Sequence, residues 1–186
     1  MSKIWFTSDT HFGHKNILKY ANRPFASIGE MNETFILRWN ERVAPEDTVY
    51  HLGDVSFLTG AKTSDLLWRL NGNIRVLVGN HDTEEVLKLP RFEWVKDYYE
   101  LIVKDPDAYG GERLIVLFHY AMRVWNASHH GSWHLYGHSH GTLPDDPCAL
   151  AFDAGVDSHN YAPISYEEVK AIMATKTWTP PFGLRS

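Results

Sequence analysis

The stretch Ile74-Arg75-Val76-Leu77-Val78-Gly79-Asn80-His81-Asp82 carries the pattern that organises the rest of the chain. A short apolar run reads as a buried strand, and it stops at a glycine followed by three polar side chains. The same arrangement recurs upstream. Ile4-Trp5-Phe6 reads as a strand closed by the polar stretch Ser8 to His14, and Thr48-Val49-Tyr50-His51-Leu52 as a strand ending at Gly53-Asp54. Downstream, Tyr98 to Val103 and Arg113 to Phe118 look like strands joined across the turn-rich connector Asp105 to Gly111. Trp133 to Tyr136 and Ala149 to Phe152 are two further strands.

Helical patterns alternate with these strands. Ser27-x-x-Glu30 has the form of a capping box, in which hydroxyl and carboxylate each satisfy an orphan amide. Met31, Phe35, Trp39 and Val43 then recur every four residues as one apolar stripe. A second helix is expected over Ser64 to Leu70, stopped by Asn71-Gly72, and a short one over Thr83 to Lys88 before Pro90. Ser165-x-x-Glu168 is another capping box and opens a helix to about Thr175; the tail beyond it, with Pro180-Pro181, is expected to wrap the surface. With no internal repeat, linker or low-complexity tract, the chain reads as one α/β domain over residues 1–186.

Composition narrows the function classes. The chain is 44% hydrophobic and 22% charged, and 18 basic against 23 acidic residues leave a net charge of −5. Disorder, a collagen-like repeat and a polybasic nucleic-acid module are excluded as starting points. One cysteine, Cys148, permits no internal disulfide, which suits a reducing compartment, and the thiol is expected to be buried in a strand. No apolar run approaches the roughly 18 residues of a membrane span, and the N-terminus runs straight into a strand broken at Asp9, so the expected location is cytoplasmic. The unusual number is histidine, with 11 copies.

Five of those histidines sit with carboxylates and an asparagine just beyond the strand ends: Asp9 and His11, Asp54, Asn80-His81-Asp82, His119, then His138 and His140. In an open α/β sheet the loops beyond the carboxyl ends of the strands converge on one edge, where ligands bind. Asp9/His11 and His138/His140 are each two residues apart, so in extended backbone both members of a pair point to one side. Glycine precedes Asp54, Asn80 and His138, allowing a sharp turn or a close backbone approach. Imidazole and carboxylate without thiolate suit Mn, Fe, Zn or Ni and argue against a structural zinc finger.

Taken in order, Asp9-x-His11, Gly53-Asp54, Gly79-Asn80-His81-Asp82, His119 and Gly137-His138-x-His140 resemble the five motifs of the calcineurin-like metallophosphoesterases, in particular the small single-domain phosphodiesterase-like branch. The motifs span residues 9 to 140. The resemblance implies a two-sheet β-sandwich flanked by helices, with two divalent metal ions at one end. It implies one ion held by Asp9, His11, Asp54 and His140, and another by Asp54, Asn80, His119 and His138, Asp54 bridging. Such a pair, foremost Mn, would bind a hydroxide for attack on a phosphoryl group, and its charge of +4 would let a protein of net charge −5 hold an anion. His81 would face the leaving-group oxygen as general acid, with Asp82 fixing its tautomer.

Other polar and aromatic residues divide between bland and functional readings. His14, Asn16 and Arg23 are candidates for contact with a substrate phosphate, Arg23 equally for an exposed surface position. His51 reads as packed near the site, and His129, His130 and His134 as solvated. His159 groups with Asp153, Asp157 and Asn160, where support of the site and loop solvation stay open. Trp39, Trp68 and Trp94 read as core or helix-packing residues; for Trp125 and Trp133 core packing stands ahead of an active-site wall.

The expected function is hydrolysis of a phosphodiester or nucleotide-like phosphoester, with a small phosphoester or nucleotide as substrate. Gly53-Asp54 continues as Val55-Ser56-Phe57-Leu58 and not as Asp-Arg-Gly, which argues against protein phosphatase activity. A nuclease or end-processing activity would use the same chemistry; the net charge of −5 counts against long duplexes, while a patch of Lys15, Lys19 and Arg23 suits a short strand. A non-catalytic scaffold of the same fold would be expected to lose ligands or His81, and all are present.

Overall fold

A computed structural model describes residues 2–181. Strands β1 (Ile4–Thr7), β2 (Thr48–His51), β3 (Asn73–Leu77) and β4 (Phe92–Lys96) run parallel, and β9 (Ile164–Ser165) pairs antiparallel with β1, giving the sheet order β4-β3-β2-β1-β9. A second sheet has the order β5-β6-β7-β8, from β5 (Tyr98–Lys104), β6 (Glu112–Phe118), β7 (Trp133–Tyr136) and β8 (Ala151–Asp153). Here β5 and β6 form a hairpin and β6, β7 and β8 are parallel. The helices are α1 (Ile17–Tyr20), α2 (Ile28–Arg42), α3 (Gly60–Leu67), α4 (Glu84–Leu87) and α5 (Tyr166–Ala174). The expected architecture of two mixed sheets flanked by helices is the one observed.

Strand alternation explains the layers. Trp5, Val49, Ile74 and Val76 face α2 and α3, meeting Met31, Phe35, Trp39, Leu66 and Leu67. Their neighbours Phe6, Tyr50 and Leu77 turn the other way and join Leu101, Ile115, Leu117, Leu135 and Phe152 of the second sheet. The outer face of that sheet is covered by Trp125 and Met122, which pack on Val116, Tyr136 and Ala151. The helix stripe Met31, Phe35, Trp39 and Val43 is fully buried, as expected. No helix among the described residues is long and apolar enough to cross a membrane.

Register places the strand ends level. Thr7 lies opposite His51 and His51 opposite Val76, while Tyr136 lies opposite Asp153. The exits therefore leave side by side. Asp9 N donates to Gly53 O and His11 N to Asp54 O at 3.0 Å each, and Gly137 N donates to His119 O at 2.9 Å. Val156 N donates to Ser8 O at 3.1 Å, tying the exits of the two sheets together.

Several local expectations change. The second helix begins at Gly60, four residues before Ser64, because its inward position is taken by polar Thr63, whose hydroxyl bonds Ser56 Oγ at 2.8 Å. Two short elements go beyond the sequence reading, strand β4 and the single-turn α1, with four to five residues each, too few to establish a period. In the Ser27 box the hydroxyl accepts from Glu30 N at 3.1 Å, but the Glu30 carboxylate accepts from Ala26 N at 2.8 Å; at Ser165 the reciprocal box is complete. Cys148 is exposed, not buried in a strand, because β8 starts only at Ala151. Trp68 is 65% exposed and stacks on Arg91 instead of entering the core. The tail lies along the surface through Thr179, whose N donates to Cys148 O at 3.1 Å; residues 182–186 of it fall outside the described residues.

Candidate metal centre

The exits bring the titratable side chains together in two groups. Asp9, His11 and His140 offer ligand atoms within 4.8 Å of one another, and so do Asp54, His119 and His138. Asp54 Oδ2 lies between them, 3.4 Å from His11 Nε2 and 3.6 Å from His119 Nε2. Asn80 Oδ1 lies beside the second group, 3.0 Å from His119 Nε2. Three of the loops, those after β1, β2 and β7, use left-handed backbone to aim these groups inward: φ is 57° at Asp9, 48° at His11, 58° at Asp54, 67° at His138 and 48° at His140. Side-chain-bearing residues adopt that region rarely and at a cost, and its concentration on the candidate ligands marks a site whose geometry outranks local comfort.

The donor set fits divalent cations. Asp9 Oδ1 and both ring nitrogens of His11 are buried without a hydrogen-bond partner. Buried polar atoms are almost always satisfied, so the unpartnered Asp9 Oδ1 and His11 Nε2, 3.7 Å apart, point to a cation between them. His119 Nδ1 sits 2.7 Å from Leu52 O and must donate to it, which leaves the Nε2 lone pair of the neutral ring facing the oxygens of Asn80 and Asp54. His140 is oriented likewise, with Nδ1 donating to Asp157 Oδ2 at 2.8 Å. Burial alone would push the Asp9 carboxyl up, but the facing imidazoles of His11, His119 and His140 outweigh it and hold it at about 2.

Two glycines are required by close approach. A Cβ on Gly79 would stand 2.3 Å from Asp54 Oδ1, and one on Gly137 2.0 Å from Ser8 Oγ and 2.3 Å from Asp9 Oδ2. The backbone beside Gly137 is used as well: His138 N donates to Asp9 Oδ2 at 2.9 Å, joining the loops of the two sheets.

Two sequence expectations are corrected. Asp82 does not hold the His81 ring; its carboxylate accepts from Asp54 N and Val55 N at 2.8 Å and from Gly79 N at 2.9 Å. The loops after β2 and β3 lie side by side, and three converging amides outcompete one exposed imidazole for that carboxylate. Arg23 is neither exposed nor in the cleft. It is buried, pairs with both Asp157 oxygens at 2.8 Å, and donates to Asp9 O at 2.6 Å and Thr10 O at 3.1 Å. It thus leaves the Lys15 and Lys19 surface patch.

The other candidates line a cleft of about 430 Å³ that contains His11, His14, Asn16, Phe57, His81 and His140. His81 is exposed at its mouth, with its ring 5.7 Å from that of His11, while its backbone N donates to Asp54 Oδ1 at 2.8 Å. His14 stacks on Phe57 at 3.9 Å. His51 is buried and packed, as expected: Gly53 N reaches its Nδ1 at 3.3 Å, Thr10 Oγ1 lies 3.0 Å from Nε2, and burial holds the ring neutral at about 3. His134, read as solvated, is fully buried between Val116 O and Met122 N, because β7 is covered on both faces.

Asp157 and Asp153, for which the sequence allows either role, support the site. Asp157 joins His140 to Arg23; Asp153 accepts from Ser139 Oγ at 2.6 Å, Gly141 N at 2.9 Å and Gly155 N at 2.7 Å. Their signal in sequence is the one already used, carboxylates at or just beyond a strand end.

Comparison with known proteins places this geometry in context. The profile described as calcineurin-like phosphoesterase matches residues 2–142. An uncharacterized protein of Methanocaldococcus jannaschii is 34% identical over 175 residues, covering 90% of this chain and 89% of the relative. The gene 66 protein of Mycobacterium phage D29 is 32% identical over 165 residues, covering 77% of this chain and 81% of its own length. Among solved structures, a protein of unknown function from Aquifex aeolicus superposes with a TM-score of 0.72 at 25% identity, over 92% of this chain and 100% of the other.

Proposed function

Because the chain belongs to the calcineurin-like phosphoesterase family, we propose that it hydrolyses phosphodiester or nucleotide-like phosphoester bonds with two divalent cations, Mn foremost. Asp9, His11, Asp54 and His140 would hold one ion, and Asp54, Asn80, His119 and His138 the other. The observation that carries this reading is the position of Asp54 Oδ2 between the His11 and His119 rings, at 3.4 and 3.6 Å. Bound cations would supply charge against the phosphoryl oxygens and lower the pKa of water.

The protein's own groups account for the rest. Leu52 O and Asp157 keep the Nδ1 protons of His119 and His140 pointed away, so that both Nε2 lone pairs face the centre. His81, exposed at the cleft mouth, would give a proton to the leaving oxygen, a role most valuable for the poor alkoxide of a diester. Asp82 serves by bracing the Asp54 and Gly79 backbones against each other.

The test is metal analysis of the Mn²⁺-loaded protein together with rates on bis-(p-nitrophenyl) phosphate and p-nitrophenyl phosphate. Two ions per chain and faster diester turnover are expected. Bound metal without turnover of either ester would make the protein a scaffold, and faster monoester turnover would end the diester assignment.

A further inference from the structure

Large aromatic and apolar side chains left in water usually mark a binding surface when they cluster. Four of them gather at the candidate centre: Tyr20 at 73% exposure, Phe57 at 42%, Tyr120 at 38% and Leu143 at 46%. Tyr20, Tyr120 and Leu143 border a slot of about 570 Å³ floored by the Gly137–His140 loop. That slot shares Tyr20, His138 and His140 with the cleft of His11 and His81, so it opens directly from the candidate metal centre.

Its chemistry is distinct from that of the centre. No Asp, Glu, Lys or Arg lines it. Tyr120 is held in place by edge contacts to the rings of His119 at 4.9 Å and His138 at 4.7 Å. Tyr20, at the end of α1, has a contact to the His14 ring at 6.2 Å and otherwise faces solvent. The two aliphatic hydroxyls of the wall are already committed as donors, Ser139 Oγ to Asp153 and Thr142 Oγ1 to Ser139 O, which leaves the phenol groups of Tyr20 and Tyr120 as its adaptable polar atoms. Away from His138 and His140, such a wall offers ring faces and hydroxyls but no charged side chain. It suits a neutral, flat ring that stacks on the tyrosines, and it disfavours a second phosphate or a charged headgroup.

We propose that the slot between Tyr20 and Tyr120 is a base-binding subsite, which receives the heteroaromatic ring of a nucleoside ester whose phosphate lies at the metal centre. This rests on the phosphoesterase reading above and narrows its substrate to nucleoside-bearing esters. The two tyrosines select the base by stacking, and the metal centre engages the phosphate that every substrate shares.

Thymidine monophosphate and deoxyribose phosphate differ in the base alone, and calorimetric titration of each into the Mn²⁺-loaded protein isolates the slot. The native protein is expected to favour the thymidine compound by about 5-fold or more, the size of one base stacking on one aromatic ring. Tyr20→Ala and Tyr120→Ala should each bring the ratio toward one, and Tyr20→Phe, which keeps the ring, should restore it. Equal affinities in the native protein, or a preference untouched by both alanine variants, would overturn the subsite. Turnover of bis-(p-nitrophenyl) phosphate keeps the two readings apart. Hydrolysis without base preference removes the subsite alone, whereas base preference without hydrolysis keeps the subsite and removes the phosphodiesterase assignment.

Discussion

Replacing Arg23 by Met takes a guanidinium out of the protein while keeping a side chain of similar reach. The native side chain is fully buried, and so, to within 6%, is its partner Asp157. Four hydrogen bonds to oxygen are lost: two to the Asp157 carboxylate at 2.8 Å, one to Asp9 O at 2.6 Å and one to Thr10 O at 3.1 Å. Asp157 keeps His140 as a partner but becomes a buried carboxylate short of charge compensation. Breaking one side of a buried pair costs about 3–5 kcal/mol. At about 2–4 °C per kcal/mol for a chain of this size, the melting temperature should fall by roughly 6–20 °C. Calorimetry on the two proteins measures this, and the double variant Arg23→Met/Asp157→Asn should recover part of the loss, since the uncompensated charge is gone. A cost under about 1 kcal/mol, the value of an exposed ion pair, would refute the claim that Arg23 is a buried clamp on the Asp9 loop.

Other expectations follow from single contacts. His81→Ala should retain both metals by elemental analysis yet slow diester turnover, most for the poorest leaving groups; loss of metal would make His81 a ligand. Gly137→Ala forces a Cβ to within 2.3 Å of Asp9 Oδ2, so it should weaken Mn²⁺ binding in equilibrium dialysis and destabilise the fold by about 1–3 kcal/mol. Asp47 provides a pH test away from the centre. Burial favours its neutral form, but amide and indole donors from Lys3, Ala44 and Trp5 outweigh that and lower its pKa. A folded pKa below the unfolded value of about 3.9 gives stability that is full above the unfolded pKa and lost as pH falls through the folded one. Urea titrations between about pH 5 and pH 2 should therefore show a shallower acid loss in Asp47→Asn than in the native chain.

How much was legible in the sequence depends on the range of the interaction involved. Strands ending in Gly-Asp or Gly-Asn are local signals, and they located the site because parallel register carries every strand exit to the same edge. Glycine beside a candidate ligand was likewise readable, and Gly79 and Gly137 prove to be places where no side chain fits. The roles of Arg23 and His134 were not readable. Arg23 meets Asp157 across 134 residues of chain, and His134 is enclosed by groups from β6 and the loop after it. Nothing in the local spacing of either residue encodes those partners. Asp82 failed differently: the sequence offered an adjacent histidine, and three amides brought alongside by the packing of two loops proved the better partners.

By itself, then, the order of residues determined which side chains could reach the centre, because strand alternation and strand-end turns are local physics repeated along the chain. Only the tertiary structure decided what each of them does there. Asp54 falls between two groups of candidate ligands, Asp157 orients His140, and Tyr20 and Tyr120 come to line one slot beside them. Each of these depends on how separate loops pack, and that packing is set by the burial of two sheets against each other and not by any neighbour in sequence.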